Sequence, residues 1–221
     1  MRTTLLAACA ALTLAGCAIG KPIPQPTTYV MEPAIDAHAS SVARRSAPMR
    51  VGTVRVAPSF SGNALVYRLD DVRYAADPYH AFIAEPGAML SGRIAEWLAR
   101  TGTSSGGGSG STVYVLDATV SELYGDFRAG QNPAAVMSMR FALIDPQSDV
   151  RPRTMLERTI ERRVDLPQGS PDALVRGYGV ALAEILEQLG AELYERDIGQ
   201  ETARKGDPCC QDAIARSRAG R

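Results

Sequence analysis

Between residues 135 and 143 every second side chain is apolar: Ala135, Met137, Met139, Phe141 and Leu143. Successive side chains on a strand point to opposite faces, so this alternation predicts a strand with one well-buried face. The same spacing favours Met137 and Met139 as core residues over the lining of an adaptable lipid groove, the other use of methionine. A sheet with one apolar face needs a cover, and two segments can supply it. Behind Glu85-Pro86-Gly87, Leu90, Ile94, Trp97 and Leu98 recur at i, i+4, i+7 and i+8, one stripe of a helix. Ser170-Pro171-Asp172 offers an N-cap and a proline at the first helical position. The helix that follows runs to about Arg196, with Leu174, Tyr178, Ala181, Leu182, Ile185, Leu189 and Leu193 on a broad apolar face. Gly177, Gly179 and Gly190 weaken its intrinsic propensity, so packing must hold it.

The remaining segments read as strands. They are 28–32, 49–57, 64–69 paired with 72–74 about Asp70-Asp71, 112–120, and 153–164. On the last, Leu156, Ile160 and Val164 share one side while Glu157, Glu161 and Arg163 take the other. Charge of that kind suits a strand near a sheet edge, where it discourages pairing with other chains. The fold class expected is α+β: a single domain with a mixed or antiparallel sheet and two main helices packed on one face.

The N-terminus carries a different constraint. Arg2 precedes an apolar run from Leu5 to Leu14, and Leu14-Ala15-Gly16-Cys17 follows. A basic start, a short apolar stretch and small residues before a cut form a secretory signal, and the stretch is shorter than the roughly 20 residues that cross a bilayer. A cysteine directly after the cut is the acceptor of a bacterial lipoprotein signal. Its thiol takes a diacylglycerol and its freed amine another acyl chain, and several chains make a stable anchor where one is marginal. Residues 1–16 are therefore expected to be a signal peptide, and 17–27 a lipidated Cys17 with a tether stiffened by Pro22, Pro24 and Pro26. Residues 28–198 are the folded domain and 199–221 a polar tail without fixed structure. Ala18 stands where an aspartate would signal inner-membrane retention, which favours the periplasmic side of the outer membrane.

Composition bounds the function from the other side. Lys+Arg and Asp+Glu are each 24, so no net field argues for nucleic acid. Once Cys9 leaves with the signal and Cys17 is acylated, only the adjacent Cys209 and Cys210 remain, free to pair with each other or with another chain. The Gly/Ser run at 101–111 matches neither phosphate-loop pattern. His38 lies in a small, polar loop at 34–47. Asp77, His80 and Glu85 form no recognised metal spacing and are expected to decorate the turn before the first helix. Asp70 and Asp71 are turn formers before they are an acid–base pair, because adjacent strand residues face opposite ways. No catalytic residue, metal or cofactor is expected.

A resemblance adds what composition cannot. Residues 51–56, Pro58-Ser59-Phe60, Leu65-Val66-Tyr67-Arg68, Tyr74, Tyr79, Phe82 and Pro86, leading into the Leu90–Leu98 stripe, resemble the ABC-type transport auxiliary lipoprotein family, as do Thr28-Tyr29-Val30-Met31 and the lipoprotein signal. The resemblance spans roughly residues 27–195. Phe82 takes about the place where many members carry a tryptophan, and the Gly/Ser loop is longer than usual. The resemblance implies a non-enzymatic, membrane-anchored component of an envelope transport system. Its implied partners are an MCE-domain protein and the associated ABC permease and ATPase, which move phospholipids or other hydrophobic molecules between membranes. Tyr67, Arg68, Tyr79 and Phe82 are the candidate partner surface, since aromatics and arginine are enriched at binding hot spots; packing around the first helix is their other reading. A lipid carrier with an apolar cavity and a structural envelope lipoprotein stay open as alternatives, as does homo-oligomerisation.

Overall fold

In the computed structural model of the chain, residues 25–32, 48–101, 113–147 and 152–206 are described. They form β1 (Thr27–Tyr29), β2 (Met49–Val56), a 3-10 turn (Pro58–Phe60), β3 (Ala64–Arg68), β4 (Tyr74–Phe82), α1 (Pro86–Arg100), β5 (Tyr114–Asp126), β6 (Ala134–Asp145), β7 (Arg153–Asp165) and α2 (Pro171–Gly206). The strands make one mixed seven-stranded sheet in the order β1-β4-β3-β5-β6-β7, with β2 also paired to β5. The α+β expectation, with two helices covering one face, matches this architecture.

One side of β5 is shared. Its first half pairs in parallel with β2, from Met49↔Tyr114 to Val56↔Val120. Its last residues pair in parallel with β3, Tyr67↔Gly125 and Arg68↔Asp126. Between the two, residues 57–63 leave the sheet and return. Gly52 lies in a bulge of β2, where the register slips between Val51 and Val54. A Cβ at Gly52 would fall 2.0 Å from Asp117 Oδ1 and 2.5 Å from Val115 Cγ1. That carboxylate accepts the Thr53 N–H at 2.7 Å, tying the bulge to β5.

The helices lie where the apolar stripes require. Leu90, Ile94, Trp97 and Leu98 of α1 and Leu174, Tyr178, Leu182, Ile185 and Leu189 of α2 join one core with Leu116, Val120, Met137, Met139 and Phe141. Met137 and Met139 are fully buried, as their alternation predicts. The cost of Gly177 in α2 has a local reason. A Cβ there would stand 2.8 Å from the Ala135 Cβ and 2.6 Å from Leu166 Cδ2, so the glycine lets the helix come down onto β6. Ser170 Oγ accepts the Ala173 N–H at 3.3 Å, the cap expected of Ser-Pro-Asp. β7 is the sheet edge and carries its charged face outward. Its helix-facing arginines are stitched to α2, Arg158 to Glu192 at 2.7 Å and Arg162 to Gln188 at 2.6 Å.

Three expectations need correction. β1 pairs only over Thr27–Tyr29, after which Met31 turns into the core. β5 does not stop at residue 120. A bulge at Ser121, opposite Ser138, shifts the alternation by one, and the strand continues through Leu123 and Gly125 to Asp126. β4 extends from Tyr74 to Phe82, so Asp77-Pro78-Tyr79-His80 belongs to a strand rather than to the turn before α1. In addition α2 runs to Gly206, past the point where the polar tail was expected to begin. The signal peptide, Cys17, the tether up to residue 24, His38, most of the Gly/Ser run, and Cys209 and Cys210 lie outside the described residues.

Two glycine substitutions should change stability in opposite directions. Gly52→Ala should cost more than about 2 kcal/mol by forcing the bulge off Asp117. Gly92→Ala, on an exposed part of α1 with nothing within 4 Å of the new methyl, should gain up to about 1 kcal/mol. Urea denaturation midpoints check both.

Candidate functional site

Asp77 organises the first of two polar clusters. Across β3 and β4, Val66 pairs with Ala76 and Ala64 with Ala81, so residues 77–80 bulge out of the ladder. Pro78 has no N–H to offer the sheet. Asp77 Oδ1 accepts the two N–H groups that follow, Tyr79 at 2.8 Å and His80 at 3.0 Å. Its Oδ2 accepts the Tyr67 phenol at 2.5 Å and faces His80 Nδ1 at 2.7 Å. Burial works to raise the Asp77 pKa, but the hydrogen bonds from Tyr67, from the Tyr79 backbone and from His80 outweigh it and hold the carboxyl below its ordinary value. Burial, then the bond to Asp77, push the Tyr67 phenol far above its ordinary range. Tyr67 is stacked on Phe127, with ring centroids 5.0 Å apart. The Tyr29 and His80 rings lie 6.1 Å apart, so the edge strand β1 closes over the cluster.

The second cluster holds the end of the sheet. Asp126, 1% exposed, receives Arg128 through both carboxylate oxygens, Nε to Oδ1 and Nη2 to Oδ2, each at 2.9 Å. Arg163 Nη1 adds a third bond at 2.6 Å. The Arg128 bonds hold the Asp126 pKa well below the carboxylate range against the opposing effect of burial, with Arg163 reinforcing them. Arg128 also reaches Asp71 at 3.0 Å and Gln131 at 3.1 Å, which joins the β5–β6 loop to the β3–β4 hairpin. In that hairpin Asp70 Oδ1 accepts the N–H groups of Val72 and Arg73, at 3.0 Å and 2.7 Å. With the Arg73 guanidinium added, the Asp70 pKa falls to about 2. Asp70 and Asp71 are thus turn residues, as their position predicts.

The four candidate partner residues do not form one surface. Tyr67 is half-buried under Asp77. Arg68 is spent locally, donating to the Asp70 carbonyl at 3.1 Å and lying 5.8 Å over the Tyr74 ring. There Tyr74 and Phe60 flank the Tyr124 ring, with centroids 5.4 and 5.9 Å from it, in an aromatic group built around the 57–63 excursion. Phe82 is buried, its ring 6.1 Å from Tyr178 in α2. Tyr79 remains, 40% exposed on the bulge, with Ile83 at 63% and Val30 also exposed near the β1 edge. Asp77 and His80 meet, whereas Glu85 stands apart at the N-cap of α1. Among the described residues no group of three or more His, Cys, Asp or Glu is placed to hold a metal ion. Arg163 reads from the sequence only as an outward charge of β7, and Asp126 and Arg128 lie beyond the bulge at Ser121, where a strict two-residue period ends the strand. The resumed apolar phase at Leu123 and Gly125 is the signal that points to them.

The fold is shared with solved structures. Protein XCC0632 from Xanthomonas campestris, of family DUF330, superposes with a TM-score of 0.62 at 16% identity, over 83% of this chain and 99% of that one. A second structure, of an uncharacterised protein, gives 0.55 at 19% identity, over 78% and 98%. No curated protein matches the chain. Residues 29–190 match the model of the ABC-type transport auxiliary lipoprotein component, and the chain belongs to that family. Among the described residues no helix is long and apolar enough to cross a membrane.

The two clusters set a pH dependence. Asp77 and Asp126 have folded pKa values below the unfolded value of about 4, so their contribution is complete above it and is lost as pH falls through the depressed values. Urea midpoints should therefore drop steeply below about pH 4. Asp126→Asn should flatten that drop. At neutral pH it should cost about 2–3 kcal/mol, less than for a fully buried pair because both guanidiniums are partly solvated.

Proposed function

We propose that this protein is a lipid-anchored, periplasmic, non-enzymatic component of an MCE/ABC-type intermembrane lipid transport system, which docks or stabilises the assembly at the outer membrane. The observation that carries the reading is the family match over residues 29–190, placed directly behind the Leu14-Ala15-Gly16-Cys17 signal. Residues 1–16 are removed, Cys17 is acylated, and 17–27 hold the domain off the bilayer. A lipid is poorly soluble in an aqueous periplasm, so its transfer needs a sheltered route, and an anchored domain fixes one end of that route to its membrane.

The packing favours docking over a carrier role. Met137, Met139 and Phe141, the residues that an apolar ligand would displace, are fully buried against α2. Tyr79, with Ile83 and Val30 exposed further along the same edge, is the apolar set that suits a protein partner. Arg68 serves the hairpin next to it.

Affinity isolation of the tagged, lipidated protein from gently solubilised membranes, with mass spectrometry of what accompanies it and a Cys17→Ala control, tests the assignment. Recovery of an MCE-domain protein, with or without its permease and ATPase, is the expected result. Recovery of the protein alone, or with cell-wall components only, would move the structural-lipoprotein reading into its place.

A further inference from the structure

The direction of β1 sets where the chain that precedes Thr27 enters the fold. β1 runs parallel to β4, Thr27 beside His80 and Tyr29 beside Phe82. Traced backwards from Thr27, the chain heads toward the start of β4 and hence toward the β3–β4 hairpin. The end of the sheet in that direction also carries the β5–β6 loop, since Arg68 pairs with Asp126. His80 adjoins Ala81, which pairs with Ala64, only four residues before the end of β3. The tether thus leaves the fold about 13 Å short of the hairpin end, and about twice as far from the opposite end where β5 begins. Thr27 lies ten chain steps after Cys17, a reach of at most about 35 Å. That length passes the hairpin with slack. To seat the opposite end on the membrane it would have to double back along the sheet and use nearly all of its reach.

The hairpin end has the chemistry of a membrane contact. Leu69 donates its N–H to the Arg73 carbonyl at 2.9 Å, closing a tight turn that leaves Val72 at 86% exposure and Leu69 at 39%. The aspartates of the turn do not stand as free negative charge. Asp70 is paired with Arg73, Asp71 with Arg128 and more loosely with Arg68, and Asp126 with Arg128 and Arg163. Asp165, exposed at the same end of the sheet opposite Ala134, balances the fourth arginine, so the tip is close to neutral and its apolar side chains carry the contact. Tyr74 follows at the base of the hairpin, half-exposed, the residue type that settles at the headgroup level.

We propose that the β3–β4 hairpin, with Leu69 and Val72 at its tip, rests in the headgroup region of the bilayer that holds the Cys17 anchor. The proposal rests on the anchored reading above. It makes the tether one of two contacts with the lipid, and it orients the sheet axis toward the membrane with the β6–β7 turn pointing away.

Fluorescence depth measurement on the full-length, lipidated protein tests it. In a Cys209→Ser/Cys210→Ser background, an environment-sensitive label is placed at Val72→Cys or, at the opposite end, at Gln147→Cys. Each protein is reconstituted in phosphatidylethanolamine–phosphatidylglycerol vesicles, with and without brominated lipid. Val72 is so exposed that its substitution leaves the fold intact. The expected result is a blue-shifted emission at position 72, quenched several-fold more by brominated lipid than at 147. Equal, weak quenching at both positions in protein that floats with the vesicles would overturn the hairpin contact and leave the anchor standing. A label at 72 shielded from aqueous iodide yet untouched by brominated lipid would place protein there instead, and would also overturn it. Protein that carries no acyl chain by mass and fails to float would refute the anchor, and the proposal with it.

Discussion

The structure depends on β5 taking two partners along one side. β2 occupies its first half and β3 its last residues, both parallel to it, and the chain must step out of the sheet to pass from one to the other. That excursion, residues 57–63, sends Phe60 against Tyr124, their centroids 5.9 Å apart. It also starts a second set of strands, β3, β4 and β1, alongside the end of β5. The bulge at Gly52 and the slip at Ser121 adjust the two halves to each other. β5 is thus the axis of the sheet, with the first helix packed over β2 on one side of it, the second over β6 and β7 on the other, and the Asp126 cluster at its end.

Those clusters sit where the sheet is least supported by helices. A buried carboxylate is costly unless bonded, and Asp126 meets that cost with three guanidinium bonds. In return Arg128 ties the hairpin to the β5–β6 loop. Asp77 does the same for a bulge whose proline cannot join the ladder. Neither cluster has the arrangement of a nucleophile and its base. Both hold exposed positions in place, Tyr79 on one edge and Val72 at the tip.

Much of this was legible from residue order. The alternation from Ala135 to Leu143, the two helix stripes and the split faces of β7 depend on a period that nothing interrupts, and each appears as expected. The failures fall where a period slips. In β5 the apolar phase moves from 116, 118 and 120 to 123 and 125, and a strict two-residue rule ends the strand one bulge too early. In β4, Asp-Pro has the composition of a turn, and only the carboxylate bonds to Tyr79 and His80 keep it within a strand. Partner residues were least legible. Tyr67, Arg68, Tyr79 and Phe82 are close in sequence, but burial, pairing and exposure separate them, and residue type alone carries no information on that.

The proposed anchor and edge strand would give the domain two neighbours of different kinds. On the proposed reading one end faces lipid within reach of the tether and the Tyr79 edge meets a protein. Site-specific photo-crosslinking in living cells tests that central claim most directly, with the photoreactive residue at Tyr79 or, on the outward face of β7, at Thr159. The account predicts an adduct with an MCE-domain protein from position 79 and none from 159. A lipidated protein that gives no such adduct from 79, or gives it equally from both positions, would contradict it.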